Sequence, residues 1–138
     1  MKKLFKWGLK KSPAVFHAGA SACNNCDIEI LDLLTPRFDV ERFGVTLAGS
    51  IRHADVLLVT GVANKKIAEK LKSLYEQMPA PKVVAAIGSC ACSGIMFRDS
   101  YNVTKPIDQI IPVNIYIPGC PPKPESMIAA LVKALNSL

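Results

Sequence analysis

The sequence predicts a single α/β domain, a parallel sheet flanked by helices, and two observations carry that prediction. Short apolar runs alternate with stretches whose apolar residues recur at helical spacing. Two of the runs, residues 55–60 (DVLLVT) and 82–87 (KVVAAI), are continuously apolar in the way of strands covered on both faces. At 138 residues the chain is long enough to bury a core without disulfide staples, and it shows neither an internal repeat nor a low-complexity stretch.

The elements follow in order. Residues 13–19 (PAVFHAG) read as a first strand ending in a small-residue loop over 18–22. Residues 27–34 read as a helix with Asp27 and Glu29 in its first turn, and Thr35-Pro36 closes it. Residues 40–47 form a second strand, with Gly44 weakening it or marking a bulge. Residues 55–60 are the third strand, ended by Gly61. Ile67, Ala68, Leu71, Leu74, Tyr75 and Met78 then lie on one helical face, and Pro79 and Pro81 stop that helix. Residues 82–87 are the fourth strand, ending at Gly88-Ser89-Cys90, and an irregular stretch follows. Residues 113–117 are the fifth, ending at Pro118-Gly119-Cys120. A last helix starts near Pro122 to Pro124, with Met127, Ile128, Leu131, Val132 and Leu135 on one face.

Half of the residues are hydrophobic and a fifth are charged, which excludes a disordered chain. The longest apolar runs are far too short to cross a bilayer, and no signal-peptide core follows the basic start. A protein soluble by itself and cytoplasmic is the expectation. The net charge of +6 is concentrated partly in residues 1–11 (MKKLFKWGLKK), where five lysines surround Leu4, Phe5, Trp7 and Leu9. This basic N-terminal arm, set apart from the domain over 12–138, has the pattern of a segment lying on an anionic membrane or an acidic partner, and equally that of a solvated terminus. Nucleic acid is the weaker partner, since no basic patch interleaved with aromatics recurs downstream.

Five cysteines without an export signal argue for metal or redox chemistry rather than disulfides. Cys23 and Cys26 form a C-x-x-C pair, whose spacing lets two thiolates approach one centre from a tight turn. Cys90 and Cys120 each follow the carboxyl end of a predicted strand, as the pair does. In an open parallel sheet, loops at that end converge on one crevice. Gly88, Gly94 and Gly119 give those loops the freedom to come close to a bulky inorganic group, and freed amides can hydrogen-bond its sulfides. Pro118, Pro121 and Pro122 stiffen the fourth loop. An iron–sulfur cluster is the leading account. A zinc site, a dithiol redox pair and inert buried thiols are the alternatives, although zinc commonly takes two close pairs and Cys90 and Cys120 are 30 positions apart. Cys92 is a surplus thiol, either a substitute ligand or a small buried side chain.

The set formed by Cys23-Asn-Asn-Cys26-Asp-Ile-Glu29, the run from Arg52 to Gly61, Gly88-Ser-Cys90 and the run from Ile115 to Pro122 resembles the small subunit of membrane-bound, energy-converting nickel-iron hydrogenases. These are relatives of the cluster-bearing B-type subunit of respiratory complex I, which has two adjacent cysteines where this chain has C-x-x-C. The resemblance runs from about Ser12 onward. It implies a flavodoxin-like fold and one proximal 4Fe-4S cluster on Cys23, Cys26, Cys90 and Cys120, with Cys90 rather than Cys92 as the third ligand. It further implies a nickel-iron large subunit, a two-cluster ferredoxin-like subunit and ion-translocating membrane subunits as partners. The chain would then be peripheral, on the cytoplasmic side of the membrane, without a catalytic centre of its own.

Two positions depart from the family pattern. Asn25 stands where glycine is common, and asparagine tolerates the left-handed turn; Gly94 is followed by Ile95 where a glycine pair is usual. Glu29 lies one turn beyond Cys26, and the resemblance connects an acidic residue there with proton movement, Asp27 being its competitor. Arg52 and His53, before the third strand, are candidate tuners of the cluster potential, since nearby positive charge favours the reduced state.

Overall fold

The computed structural model describes residues 7–8, 10–103 and 105–137, without the side chains of 96 and 135–137. Most of the basic arm and the side chain of Leu135 therefore lie outside the described residues.

Five strands form the sheet: β1 Ala14–Gly19, β2 Thr46–Leu47, β3 Val56–Thr60, β4 Val83–Ile87 and β5 Ile115–Ile117. Their order is β2-β1-β3-β4-β5 and every pairing is parallel, the flavodoxin-like arrangement. Helices α1 Asn25–Asp32, α2 Lys65–Gln77 and the short α3 Ser89–Ser93 lie in the connections, and α4 Pro124–Ser137 follows β5.

Strands β3 and β4 are buried along their whole length. Alternation sends Val56, Leu58, Val83, Ala85 and Ile87 to one core, where Ile30 of α1 and Met127 and Leu131 of α4 meet them. Leu57, Val59, Val84 and Ala86 enter a second core with Leu71 of α2 and with Ile107 and Ile111. Both faces of the sheet are thus covered, as the two continuous apolar runs predicted.

Helix α2 starts where the Asn64 carboxamide oxygen accepts from the Ile67 amide at 2.9 Å. It ends because Met78, which precedes Pro79, is forced into an extended conformation. Lys82 then reaches back to donate to the carbonyls of Tyr75 (2.6 Å) and Met78 (3.2 Å), satisfying acceptors the helix end leaves open.

Three predicted elements are corrected. The expected strand over 40–47 is a 3₁₀ turn, Val40–Phe43, followed by only two strand residues. Gly44 ends the turn at φ +85°, and its Cα lies so close to the Lys11 carbonyl that a Cβ there would sit 1.9 Å from the oxygen, so the extended run cannot continue through it. The loop after β4 is helical at Ser89–Ser93 rather than irregular. β5 begins at Ile115 because Asn114 commits its side chain as well as its backbone to Val84: its Oδ1 accepts from the Val84 amide at 2.8 Å, and its own amide donates to the Val84 carbonyl.

Candidate metal centre

Because all five strands run parallel, the segments after β1, β4 and β5 emerge at one end of the sheet, and they carry Cys23 and Cys26, Cys90, and Cys120 respectively. Cys26 lies in the first turn of α1 and is buried; Cys23 and Cys120 are exposed and Cys90 half-buried, so the site opens on the surface.

The left-handed residue directly before the helix is Asn24, at φ 71°, and not Asn25, which is already helical. Asparagine takes that conformation at small cost, so the helix starts one residue before Cys26. The Cys26 sulfur rests against Gly88 at the end of β4. Gly88 has φ +88° and ψ 153°, a region essentially confined to glycine, and a Cβ on it would sit 2.6 Å from the Cys26 Sγ. The first and third cysteine loops therefore touch through a contact that only glycine permits.

The third and fourth loops are joined by a reciprocal clasp. The Ser89 amide donates to the Gly119 carbonyl at 2.8 Å, and the Gly119 amide donates to Ser89 Oγ at 3.1 Å. Ser89 Oγ also lies 3.1 Å from the Gly119 carbonyl as a donor. Ser89 precedes Cys90 and Gly119 precedes Cys120, so the clasp fixes those two thiols relative to one another.

A third clasp holds the start of α1. Thr60, fully buried at the end of β3, donates its hydroxyl to Asp27 Oδ1 at 2.6 Å. His17 Nε2 lies 3.0 Å from the same oxygen and 3.2 Å from Thr60 Oγ1. With the Thr60 proton committed to Asp27, His17 presents N–H at Nε2 to both. Asp27 is thereby turned toward β1 and β3, while Glu29, half-buried, lies further along α1. The sequence carries no local signal for this network, which joins residues 43 and 33 positions apart.

The thiols act on one another electrically. Burial pushes the Cys26 thiol up to about 11, and the neighbouring Cys23, Cys90, Asp27 and Cys120 add to the rise. Cys90 is also raised, first by burial and then by Cys120 and Cys23, against a lowering hydrogen bond from its own backbone. Cys92 points elsewhere: its thiol donates to the Ala86 carbonyl at 3.5 Å, packed against the second core, and burial raises it while a backbone hydrogen bond at Ile117 works the other way.

Arg52 and His53 are not brought to this end. They sit in a 3₁₀ turn before β3, exposed, a strand's length (roughly 17 Å) from the cysteine loops. Two cations that no sequence motif marks, Arg98 and Lys105, line a cavity of about 180 Å³ together with Cys90 and Gly94.

Among the described residues no three His, Cys, Asp or Glu side chains close on one point as ligands of a single ion would. The donor set fits a wider group with a cationic inorganic core. Soft thiols from three loops lie at one end of the sheet, the neighbouring thiols disfavour ionisation of Cys26 and Cys90, and a shared positive centre would relieve that repulsion.

Comparison with known proteins gives a consistent answer. Residues 23–134 match the family described as NADH ubiquinone oxidoreductase, 20 Kd subunit. A probable membrane-bound hydrogenase subunit of Pyrococcus furiosus is 52% identical over 128 residues, covering 93% of this chain and 77% of that one. An NADH-quinone oxidoreductase subunit of Rubrobacter xylanophilus is 47% identical over 94% of this chain, which spans about half (51%) of its length. Among solved structures, a chain of the membrane-bound sulfane sulfur reductase, an archaeal respiratory membrane complex, superposes with a TM-score of 0.83 at 38% identity, covering 99% of this chain and 77% of that one. Strand order, converging cysteine loops and sequence identity lead to one conclusion: this chain belongs to the NADH ubiquinone oxidoreductase 20 Kd subunit family.

Proposed function

We propose that the chain is the electron-transfer subunit of a membrane-bound nickel-iron hydrogenase, holding one 4Fe-4S cluster through Cys23, Cys26, Cys90 and Cys120. The observation that carries this reading is that loops from three strand ends carry Cys23, Cys26, Cys90 and Cys120 to one end of the sheet, where the Gly88 contact and the Ser89–Gly119 clasp join those loops, while Cys92 is turned away into the core. When bound, such a cluster supplies a one-electron carrier between partner subunits.

The protein's own contribution is position. The Gly88 contact seats the Cys26 sulfur, the Ser89–Gly119 clasp sets Cys90 against Cys120, and the Thr60–Asp27–His17 network anchors the helix that carries Cys26. In this reading the chain sits between a two-cluster ferredoxin-like subunit and the large subunit that reduces protons, peripheral to ion-translocating membrane subunits on the cytoplasmic side. Glu29, exposed in part on the helix that leaves the cluster loop, is the group assigned to proton movement. The hydrogenase assignment draws its support from the 52% identity to the Pyrococcus furiosus subunit.

The likeness to the sulfane sulfur reductase chain supports a second reading, the same relay serving a sulfur compound. Anaerobic purification of the whole assembly with metal analysis tests both. The expected result is a brown complex with iron and acid-labile sulfide in equal amounts, and with nickel. Iron and sulfide without nickel would remove the hydrogenase assignment and leave the same relay serving a quinone or a sulfur compound. A colourless protein with stoichiometric zinc would end the cluster reading.

A further inference from the structure

The ends of β1, β4 and β5 lead into cysteines, whereas the end of β3 does not. Yet β3 is the central strand, paired with β1 on one side and β4 on the other, so the segment after it emerges between the Cys23 loop and the Cys90 loop. Residues 60–64 touch both neighbours.

The Cys23 loop has a shape that needs support. Ser21 (φ 55°) and Asn24 (φ 71°) flank Cys23, and both are left-handed without being glycine. Backbone of that kind persists only where its surroundings over-determine it. The end of β3 supplies those surroundings residue by residue. The Ala20 amide donates to the Thr60 carbonyl at 2.7 Å. Asn64 Nδ2 donates to Ser21 Oγ at 2.7 Å. Gly61 lies so close to Ala22 that a Cβ on it would sit 2.6 Å from the Ala22 amide nitrogen, and nearer still to the Ala20 carbonyl oxygen.

Among these contacts the one made by a side chain is that of Asn64. Its Oδ1 accepts from the Ile67 amide at 2.9 Å, which turns Nδ2 toward Ser21 and roots the carboxamide in the first turn of a 13-residue helix. On its other side the same segment is tied to the loop after α3. Asn64 pairs with Val103 in an antiparallel bridge, and the Lys65 amide donates to the Asn102 carbonyl at 3.2 Å. Val62 and Ala63 line the cavity that Cys90 and Gly94 also line.

We infer that Asn64 is a positioning residue for Cys23: it carries the fixed start of α2 across to Ser21 and holds the loop two residues before that thiol in its left-handed shape. Its redox consequence rests on the cluster reading, in which Cys23 is a ligand; its effect on the loop does not.

The test compares the parent full chain with Asn64→Ser, Ser21→Ala, the double variant and Lys82→Met. Serine caps a helix as well as asparagine does but carries no group beyond its hydroxyl, so the urea midpoint should hold. Amide hydrogen exchange over residues 19–24 of the metal-free chain should rise about fivefold in each single variant, the factor expected for loss of one neutral hydrogen bond, and no further in the double variant. Lys82→Met removes the bonds at the far end of α2 and should lower the urea midpoint without altering exchange over 19–24. In chains loaded anaerobically with iron and sulfide, Asn64→Ser and Ser21→Ala should broaden the electron paramagnetic resonance lines of the reduced cluster, and Lys82→Met should leave them sharp. Unchanged exchange in Asn64→Ser, additive effects in the double variant, or equal effects from Lys82→Met would overturn the inference. A parent chain that takes up no iron and sulfide would count against the cluster reading, and the exchange comparison on the metal-free chain would still decide this one.

Discussion

Replacing Gly88 by alanine probes the contact on which the cysteine crevice closes. Gly88 lies at φ 88°, ψ 153°, where a side-chain-bearing residue is strained by about 1–3 kcal/mol. The new methyl would also sit 2.6 Å from the Cys26 sulfur, well inside van der Waals contact. Cys26 cannot easily retreat, because Asp27 beside it is tied to Thr60 and His17. Overpacking of that kind adds about 1–3 kcal/mol. The sum, about 2–6 kcal/mol, is a large part of the stability of a domain this size, for which about 5–15 kcal/mol is usual. Urea unfolding of the full chain under anaerobic conditions, followed by circular dichroism, measures it. Gly49→Ala is the control, since nothing lies within 4 Å of a Cβ at that position. A double-mutant cycle with Cys26→Ala separates the two parts: the strain stays and the steric part disappears, leaving a coupling of about 1–3 kcal/mol. If Gly88→Ala unfolds at the same urea concentration as Gly49→Ala, or the cycle shows no coupling, the close approach of the two loops is wrong.

Thr60→Val removes the donor to the Asp27 carboxylate without changing shape and should cost about 1.5–3 kcal/mol in urea unfolding, with Thr60→Ser restoring most of it. Ile95, a β-branched residue held at φ 40°, is strained; Ile95→Gly should raise the unfolding midpoint by the equivalent of about 0.5–1 kcal/mol, the left-handed penalty less the entropy of glycine. In the metal-free protein, Cys26 keeps its proton up to about 11 while the unfolded chain releases it near 9.0. The folded state then binds the extra proton, so its stabilising effect is complete below about pH 9 and is lost as pH rises toward 11; urea midpoints across that range should fall more steeply for the parent than for Cys26→Ser. In the cluster-loaded protein, Arg98→Gln should lower the midpoint potential, since it removes positive charge beside Cys90, and Arg52→Gln, at the far end of β3, should leave it unchanged in a redox titration.

How much of this was legible in the sequence depended on whether the determining contact was local. Strands β3 and β4 could be read because burial on both faces leaves a continuous apolar run, and α2 because its apolar residues recur at helical spacing until Pro79 and Pro81 stop them. The run from Val40 to Leu47 looks like a strand by composition, and what prevents it is the approach of the Lys11 carbonyl to Gly44, a contact between distant residues. The convergence of the four cysteines followed from strand direction alone. The same rule, applied to Arg52 and His53, sends them to the opposite end, because they precede β3 whereas the cysteines follow their strands. Arg98 and Lys105 approach Cys90 only through the fold of the loop after α3, for which periodicity gives no guide. Thr60 reads as one more residue of a buried strand, and its role appears only once β1 and β3 are paired in register, with Ala18 opposite Val59 and Gly19 opposite Thr60.

The three clasps explain why an electron-transfer site can be built on loops at all. Loops are the mobile part of a fold, and a redox centre works best when its ligands move little. Here three of the four thiols are each adjacent in sequence to a residue locked by hydrogen bonds: Cys26 to Asp27, Cys90 to Ser89, Cys120 to Gly119. Each lock reaches across to a different strand end, so the loops constrain one another rather than being anchored separately. Cys23 differs in being exposed, with the bond from Asn64 Nδ2 to Ser21 Oγ tying the loop two residues before it. The parallel sheet supplies convergence, and the clasps convert convergence into fixed geometry. That division of labour leaves the outer faces of the helices free of the site's constraints.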